Sequence, residues 1–141
     1  MSSKHTGVGV GVLVFKQGQL LLCQRTGSHG ANSWAPPGGH IEFGEEFTEA
    51  AAREAREETG LEITNMRLVG VTNDFFEPEK KHYITVWIAS DWLGGEPRIM
   101  EPDKCLSMHW ETFDNLPTEL FTSFKNFTES EFFGVVRTLT K

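Results

Sequence analysis

The chain has 141 residues, which fits one domain over residues 1–141 and leaves room for a substantial core. Thirteen Lys and Arg stand against twenty Asp and Glu, for a formal charge of −7. With Lys80-Lys81 only a dipeptide, that balance argues against sequence-independent nucleic-acid binding. A small anionic substrate remains compatible, because a bound divalent cation reverses the local field.

No apolar run is long enough to span a bilayer, and Met1 to His5 lacks the apolar stretch of a signal peptide. The expectation is therefore a cytoplasmic protein with no membrane partner. Cys23 and Cys105 fall outside any metal-binding spacing and read as reduced thiols, Cys23 within an apolar strand. Asn126-Phe127-Thr128 matches a glycosylation sequon, which carries little weight without a secretion signal.

Gly7 to Phe15 (GVGVGVLVF) alternates Gly with Val and then turns continuously apolar, which predicts a buried strand. It is neither GxGxxG nor a phosphate loop, so close strand packing is the better reading of its glycines. Lys16 to Gln19 reads as a turn and Leu20 to Arg25 as a second strand, making a hairpin. A Gly/Ser/Asn loop over Thr26 to Ser33 leads to Trp34-Ala-Pro-Pro-Gly-Gly39, rigid at its prolines and permissive at its glycines. Glu46 to Thr59 is the strongest helix, stopped by Gly60. Met66 to Asn73 and His82 to Ser90 read as strands joined by a polar loop, Asp74 to Lys81, and Leu106 to Glu111 as a short late strand. Thr128 to Glu131 has the pattern of a capping box, with Phe127 and Phe132 placed for a hydrophobic staple. The helix that follows would present Phe132, Val135, Val136 and Leu139 on one face. Strands, helix, strands, helix in one domain give the α+β class.

On a wheel of about 100° per residue, Phe47, Ala50, Ala51 and Ala55 form one face of the Glu46–Thr59 helix, the face that should pack against a sheet. Glu54 lies within that face, with Glu58 about 40° to one side and Glu57 about 60° to the other. Burying three carboxylates together costs several kcal/mol each in desolvation, and their repulsion adds to it. Either these acids are solvated on an Ala-rich surface helix, or a hard divalent cation such as Mg²⁺ or Mn²⁺ neutralises them.

From Gly39 to Leu61 the 23 residues read GHIEFGEEFTEAAAREAREETGL. This run resembles the catalytic box of the Nudix hydrolase family, with Gly39, Glu45, Arg53, Glu54, Glu57, Glu58 and Gly60 at the fixed positions and Leu61 at an apolar one. Ala55 departs from the larger aliphatic residue usual there, a difference of packing. Pro37 to His40, Glu42 to Glu45, the N-terminal Gly/Val strand and Glu101-Pro-Asp-Lys104 extend the resemblance toward the MutT-like nucleoside triphosphate diphosphatase branch.

The resemblance implies an α/β/α sandwich around a mixed central sheet, and hydrolysis of a nucleoside diphosphate linked to another group. It implies Mg²⁺ or Mn²⁺ held by the side chains of Glu57 and Glu58 and by the Gly38 carbonyl. Glu54 would be a further ligand or would orient the attacking water. Arg53 would hold the carboxylates through paired hydrogen bonds, supported by Glu45 near the helix start. Members differ in which acid is the general base; Glu101, from a distant loop, is the candidate here, with a solvent-exposed surface acid as the alternative reading. No covalent nucleophile is needed.

Around the box, Arg25 is either a phosphate contact or a surface arginine; Phe75, or in its place Trp34 or Phe76, is the candidate to stack on a base, with core packing as the alternative for each. His29, His40 and His82 lack ligand spacing and read as structural or exposed. The Phe-rich C-terminal segment reads as core, with a homodimer surface as the alternative. The leading expectation is cleavage of a nucleoside triphosphate to monophosphate and pyrophosphate. ADP-ribose, nucleotide sugars and dinucleotides are the alternative substrates. A module that binds a nucleotide without cutting it would be expected to lack one of Glu45, Glu54, Glu57 and Glu58, and all four are present.

Overall fold

The computed structural model describes residues 5–27, 30–77 and 79–138. The first strand, β1 (Thr6–Lys16), turns through Gln17 and Gly18 into β2 (Gln19–Arg25), pairing Phe15 with Leu20. Both turn residues have positive φ, the two-residue geometry whose twist matches a hairpin. The strands then diverge: β2 pairs with β3 (Trp34–Ala35), while β1 pairs with β4 (Gly38–His40). These two short strands flank Pro36-Pro37 and were read from sequence only as a rigid segment.

Helix α1 (Phe47–Thr59) starts where Glu49 Oε1 accepts from the Glu46 amide at 2.7 Å and ends at Gly60, whose φ of 75° is the left-handed stop. Then come β5 (Ile63–Phe76) and β6 (Lys81–Trp92), a long antiparallel pair. Strand β7 (Cys105–Thr112) lies along β2. A 3₁₀ turn (Phe113–Asn115), α2 (Thr122–Thr128) and α3 (Glu131–Thr138) follow.

Among the described residues the strands form one mixed sheet in the order β3-β2-β1-β6-β5, with β4 beside β1, β7 beside β2, and β1 parallel to β6. Ala50, Ala51 and Ala55 of α1 pack on Val10, Val12, Val14, Val86 and Ile88. On the opposite face, Phe124, Phe127 and Val136 of α2 and α3 pack on Leu13, Phe15, Leu22 and Trp87. The arrangement is the α/β/α sandwich around a mixed sheet. No helix among the described residues is long and apolar enough to cross a membrane.

The glycines of β1 are packing devices. A Cβ at Gly7 would lie 2.5 Å from the Tyr83 ring and one at Gly11 2.3 Å from the Trp87 ring. Side-chain-free positions on β1 thus accept large rings from the parallel strand beside it.

Several expectations need correction. Asp74, Phe75 and Phe76 belong to β5, and Asp74 is fully buried, because strand pairing continues to Phe76↔Lys81. Helix α2 was missed, and Thr128 ends it: its hydroxyl donates to Lys125 O instead of capping the next helix. Phe47, at the first turn of α1, is 44% exposed although it shares the angular face of the buried alanines, and Val135 is likewise exposed. Leu139 and His29 lie outside the described residues. His40 pairs with Tyr83 Oη at 3.2 Å and His82 with Thr6 Oγ1 at 3.2 Å, in keeping with structural roles.

Candidate active site

The divergence of β1 from β2 opens a cavity of about 550 Å³. Its wall includes Gly9 and Gly11 of β1, Cys23 and Arg25 of β2, the Ala35–His40 segment, and Glu54, Glu57 and Glu58 of α1. Glu101 and Lys104 reach it from the loop before β7, and Phe76, Tyr83, Thr85, Trp87 and Phe121 complete it.

Glu54 is buried, 8% exposed, on the face of α1 that carries the three buried alanines. The chain comes close here: a Cβ at Gly39 would sit 1.5 Å from Glu54 Oε2. Glu58 is half-buried and accepts from the Gly38 amide at 2.9 Å. Glu57 is half-exposed at the margin and accepts from Arg53 Nη1 at 3.1 Å. Arg53 also donates to Glu45 from Nε at 2.7 Å and Nη2 at 3.0 Å, to Glu54 Oε1 at 3.3 Å and to the His40 carbonyl at 2.9 Å. One planar guanidinium therefore ties the approach loop to two acids of the helix.

Burial pushes the Glu54 carboxyl up to about 7, opposed by the Arg53 charge and reinforced by Glu57 and Glu101. Burial also pushes Glu58 up to about 8, with Glu54 and Glu101 adding to it and the Gly38 amide and Arg25 opposing. The Arg53 hydrogen bonds hold Glu45 down at about 2. Glu101 is one-third exposed, 3.7 Å from Lys104 Nζ.

Among the described residues no closed cage of acidic, His or Cys side chains is formed; Arg53 and the Gly38 amide occupy part of the acids' acceptor capacity. The donor set nevertheless fits a hard cation. Its groups are carboxylate oxygens beside an open cavity, two of the carboxyls raised by burial despite the nearby Arg53 and Arg25 charges.

Arg25 lines the cavity with its guanidinium 3.9 Å from the Phe121 ring centre. Phe75 does not line it. Successive strand residues face opposite sides, so Phe75 is 55% exposed and stacks on His82, while Phe76 turns into the cavity against Tyr83 and Phe121. Of the two, Phe76 and not Phe75 is the ring on the cavity wall. Trp34 packs on His109 beside the core. Tyr83, Thr85 and Trp87 escaped the sequence reading because alternating residues in an apolar strand look the same whether they face core or cavity, and Phe121 because helix α2, which it precedes, was not read.

The NUDIX domain family model matches residues 5–130. The chain belongs to that family. It is 32% identical over 117 residues to the ADP-ribose pyrophosphatase of Methanocaldococcus jannaschii, covering 83% of this chain and 68% of that protein. It is 30% identical over 94 residues to the 8-oxo-dGTP diphosphatase of Proteus vulgaris, covering 65% and 82%. The crystal structure of a MutT NUDIX hydrolase from Burkholderia pseudomallei superposes with a TM-score of 0.81 at 27% identity, covering 90% of this chain and 100% of that one. The chain spans only 32% to 39% of the length of its NUDT17 and NudC relatives. The Nudix and MutT-like resemblance and the sandwich fold are thus shown, and the protein is a Nudix hydrolase of phosphoric anhydrides.

Proposed function

We propose that this Nudix hydrolase, with Mg²⁺ or Mn²⁺, cleaves a nucleoside triphosphate to the monophosphate and pyrophosphate. The observation that carries the reading is one cavity with carboxylates on α1 and aromatic rings on β5, β6 and the α2 start. Its volume suits one nucleotide-sized ligand.

Glu57, Glu58, Glu54 and the Gly38 carbonyl would hold the cation, which supplies charge screening and a more acidic water. Arg53 keeps Glu54 and Glu57 oriented, and Glu45 fixes Arg53. Arg25, with its guanidinium 3.9 Å from the Phe121 ring centre on the cavity wall, would contact phosphate oxygens, and Lys104 adds charge beside Glu101. Glu101, with its carboxylate in partial contact with solvent, takes the proton of the attacking water and passes it outward. Phe76 would stack on the base, with Tyr83 packed nearly perpendicular beside it.

A second reading is ADP-ribose hydrolysis, favoured by the 32% identity with an ADP-ribose pyrophosphatase. The test is a panel of nucleoside triphosphates, ADP-ribose and a nucleotide sugar, with Mg²⁺ or EDTA, and product identification by phosphorus NMR. Pyrophosphate release from a triphosphate, abolished by EDTA, is the expected result. ADP-ribose cleaved far ahead of every triphosphate would select the second reading, and no metal-dependent turnover would overturn both.

A further inference from the structure

Asp74 is completely buried, and among the described residues its side-chain partners are three neutral donors. Thr85 Oγ1 donates to Oδ2 at 2.6 Å, Thr72 Oγ1 to Oδ2 at 3.2 Å, and Asn126 Nδ2 to Oδ1 at 2.9 Å. A hydroxyl has a single proton, and both threonines commit theirs to Asp74 Oδ2. The two threonines then differ. The Thr72 oxygen accepts from Trp87 Nε1 at 2.9 Å, so its lone pairs serve the protein. Thr85, 8% exposed, lines the cavity, and among the described residues no protein group donates to its oxygen.

Tyr83, Thr85 and Trp87 share one face of β6 by strand alternation, with Tyr83 over Gly7 and Trp87 over Gly11. Trp87 belongs to the core on the α2 side, opposite the valines that carry α1. The acids and Thr85 therefore come from opposite sides of β1 and meet through the opening between β1 and β2. A ligand with phosphates at the acids would place its far end near Thr85, between rings.

We infer that Thr85, fixed by Asp74 as a hydrogen-bond acceptor, selects nucleobases that present an exocyclic amino group to it. This rests on the nucleotide reading above and names the base class for the same site. Thr85 is the specificity-determining contact, and Asp74 is a positioning residue that sets the direction of its hydroxyl. A keto or hydrogen substituent at the same place leaves the Thr85 oxygen facing an acceptor or nothing, and a buried polar atom without its partner is costly.

The test compares adenosine triphosphate with purine riboside triphosphate, which lacks only the amino group, in wild type and in Thr85→Ser, Thr85→Val and Asp74→Leu. The readout is the ratio of the two kcat/KM values, which general damage to the fold would not move. Wild type and Thr85→Ser are expected to prefer the amino substrate by about tenfold, the size of one hydrogen bond. In Thr85→Val the ratio falls to near one. In Asp74→Leu no acceptor holds the Thr85 proton and the hydroxyl is free to turn toward the cavity, so the ratio also falls; if that variant does not fold, the two Thr85 variants decide the matter. Equal kcat/KM for the two substrates in wild type, or an unchanged ratio in Thr85→Val, would overturn the inference while leaving triphosphate hydrolysis standing. Absence of turnover on every nucleotide would overturn the underlying reading instead.

Discussion

Arg53 and Glu45 form a two-point ion pair, Nε to Oε2 at 2.7 Å and Nη2 to Oε1 at 3.0 Å. The pair fixes the plane of the guanidinium, and that plane aims Nη1 at Glu54 and Glu57. Lysine can replace the charge but not the fork. Arg53→Lys should therefore lower kcat/KM on the order of 10- to 100-fold, with an accompanying loss of cation affinity. Wild-type kinetics in a folded Arg53→Lys would show that the fork does not organise the acids.

Metal-free stability should depend on pH through Glu54 and Glu58. Folding raises both above the ordinary carboxylate value of 4.5, to about 7 and about 8. The folded state therefore favours their protonated forms. That contribution is fully present below 4.5 and is lost as the pH rises through 7 to 8. Melting in EDTA should occur at a lower temperature at about pH 9 than at about pH 6, and Glu58→Gln should flatten the fall. A melting temperature that stays level or climbs across this interval in wild type would contradict the burial of these charges.

Gly11 and Gly9 should respond differently to alanine. At Gly11 the methyl would meet the buried Trp87 ring at 2.3 Å, whereas at Gly9 its nearest neighbour is the Gly39 carbonyl at 3.2 Å. Gly11→Ala should cost about 1–3 kcal/mol by overpacking, and Gly9→Ala less. Urea unfolding of the two variants measures the difference, and equal midpoints would argue against the ring-over-glycine packing.

Phe75 and Phe76 separate exposure from function. Phe76→Leu should raise KM by about tenfold through lost stacking, while Phe75→Leu leaves it unchanged. The reverse order would restore Phe75 as the base contact.

The parts of the fold that were legible in the sequence are those with a local cause. Gly60 marks the end of α1, the Lys16–Gln19 turn marks the first hairpin, and the fixed spacing from Gly39 to Leu61 marks the acids. What escaped depends on distant partners. Asp74 looks like a loop residue until Thr72, Thr85 and Asn126 are seen around it. Asn126 looked like part of a sequon and is an amide donor to that buried carboxylate. The short strands at Trp34–Ala35 and Gly38–His40 exist because β1 and β2 part and each takes a new neighbour, which no local pattern announces. The phase of β5 decided between Phe75 and Phe76, and a strand's phase follows from its pairing.

The central claim is that the acids of α1 form a cation site for hydrolysis, and Glu57 tests it most directly because it is half-exposed and least needed for folding. The measurement is Mg²⁺-dependent turnover of the best triphosphate by wild type and Glu57→Gln, with melting curves in EDTA as the control for fold. The account predicts that Glu57→Gln melts like wild type and loses most of its turnover. Near wild-type turnover in the folded variant would contradict it.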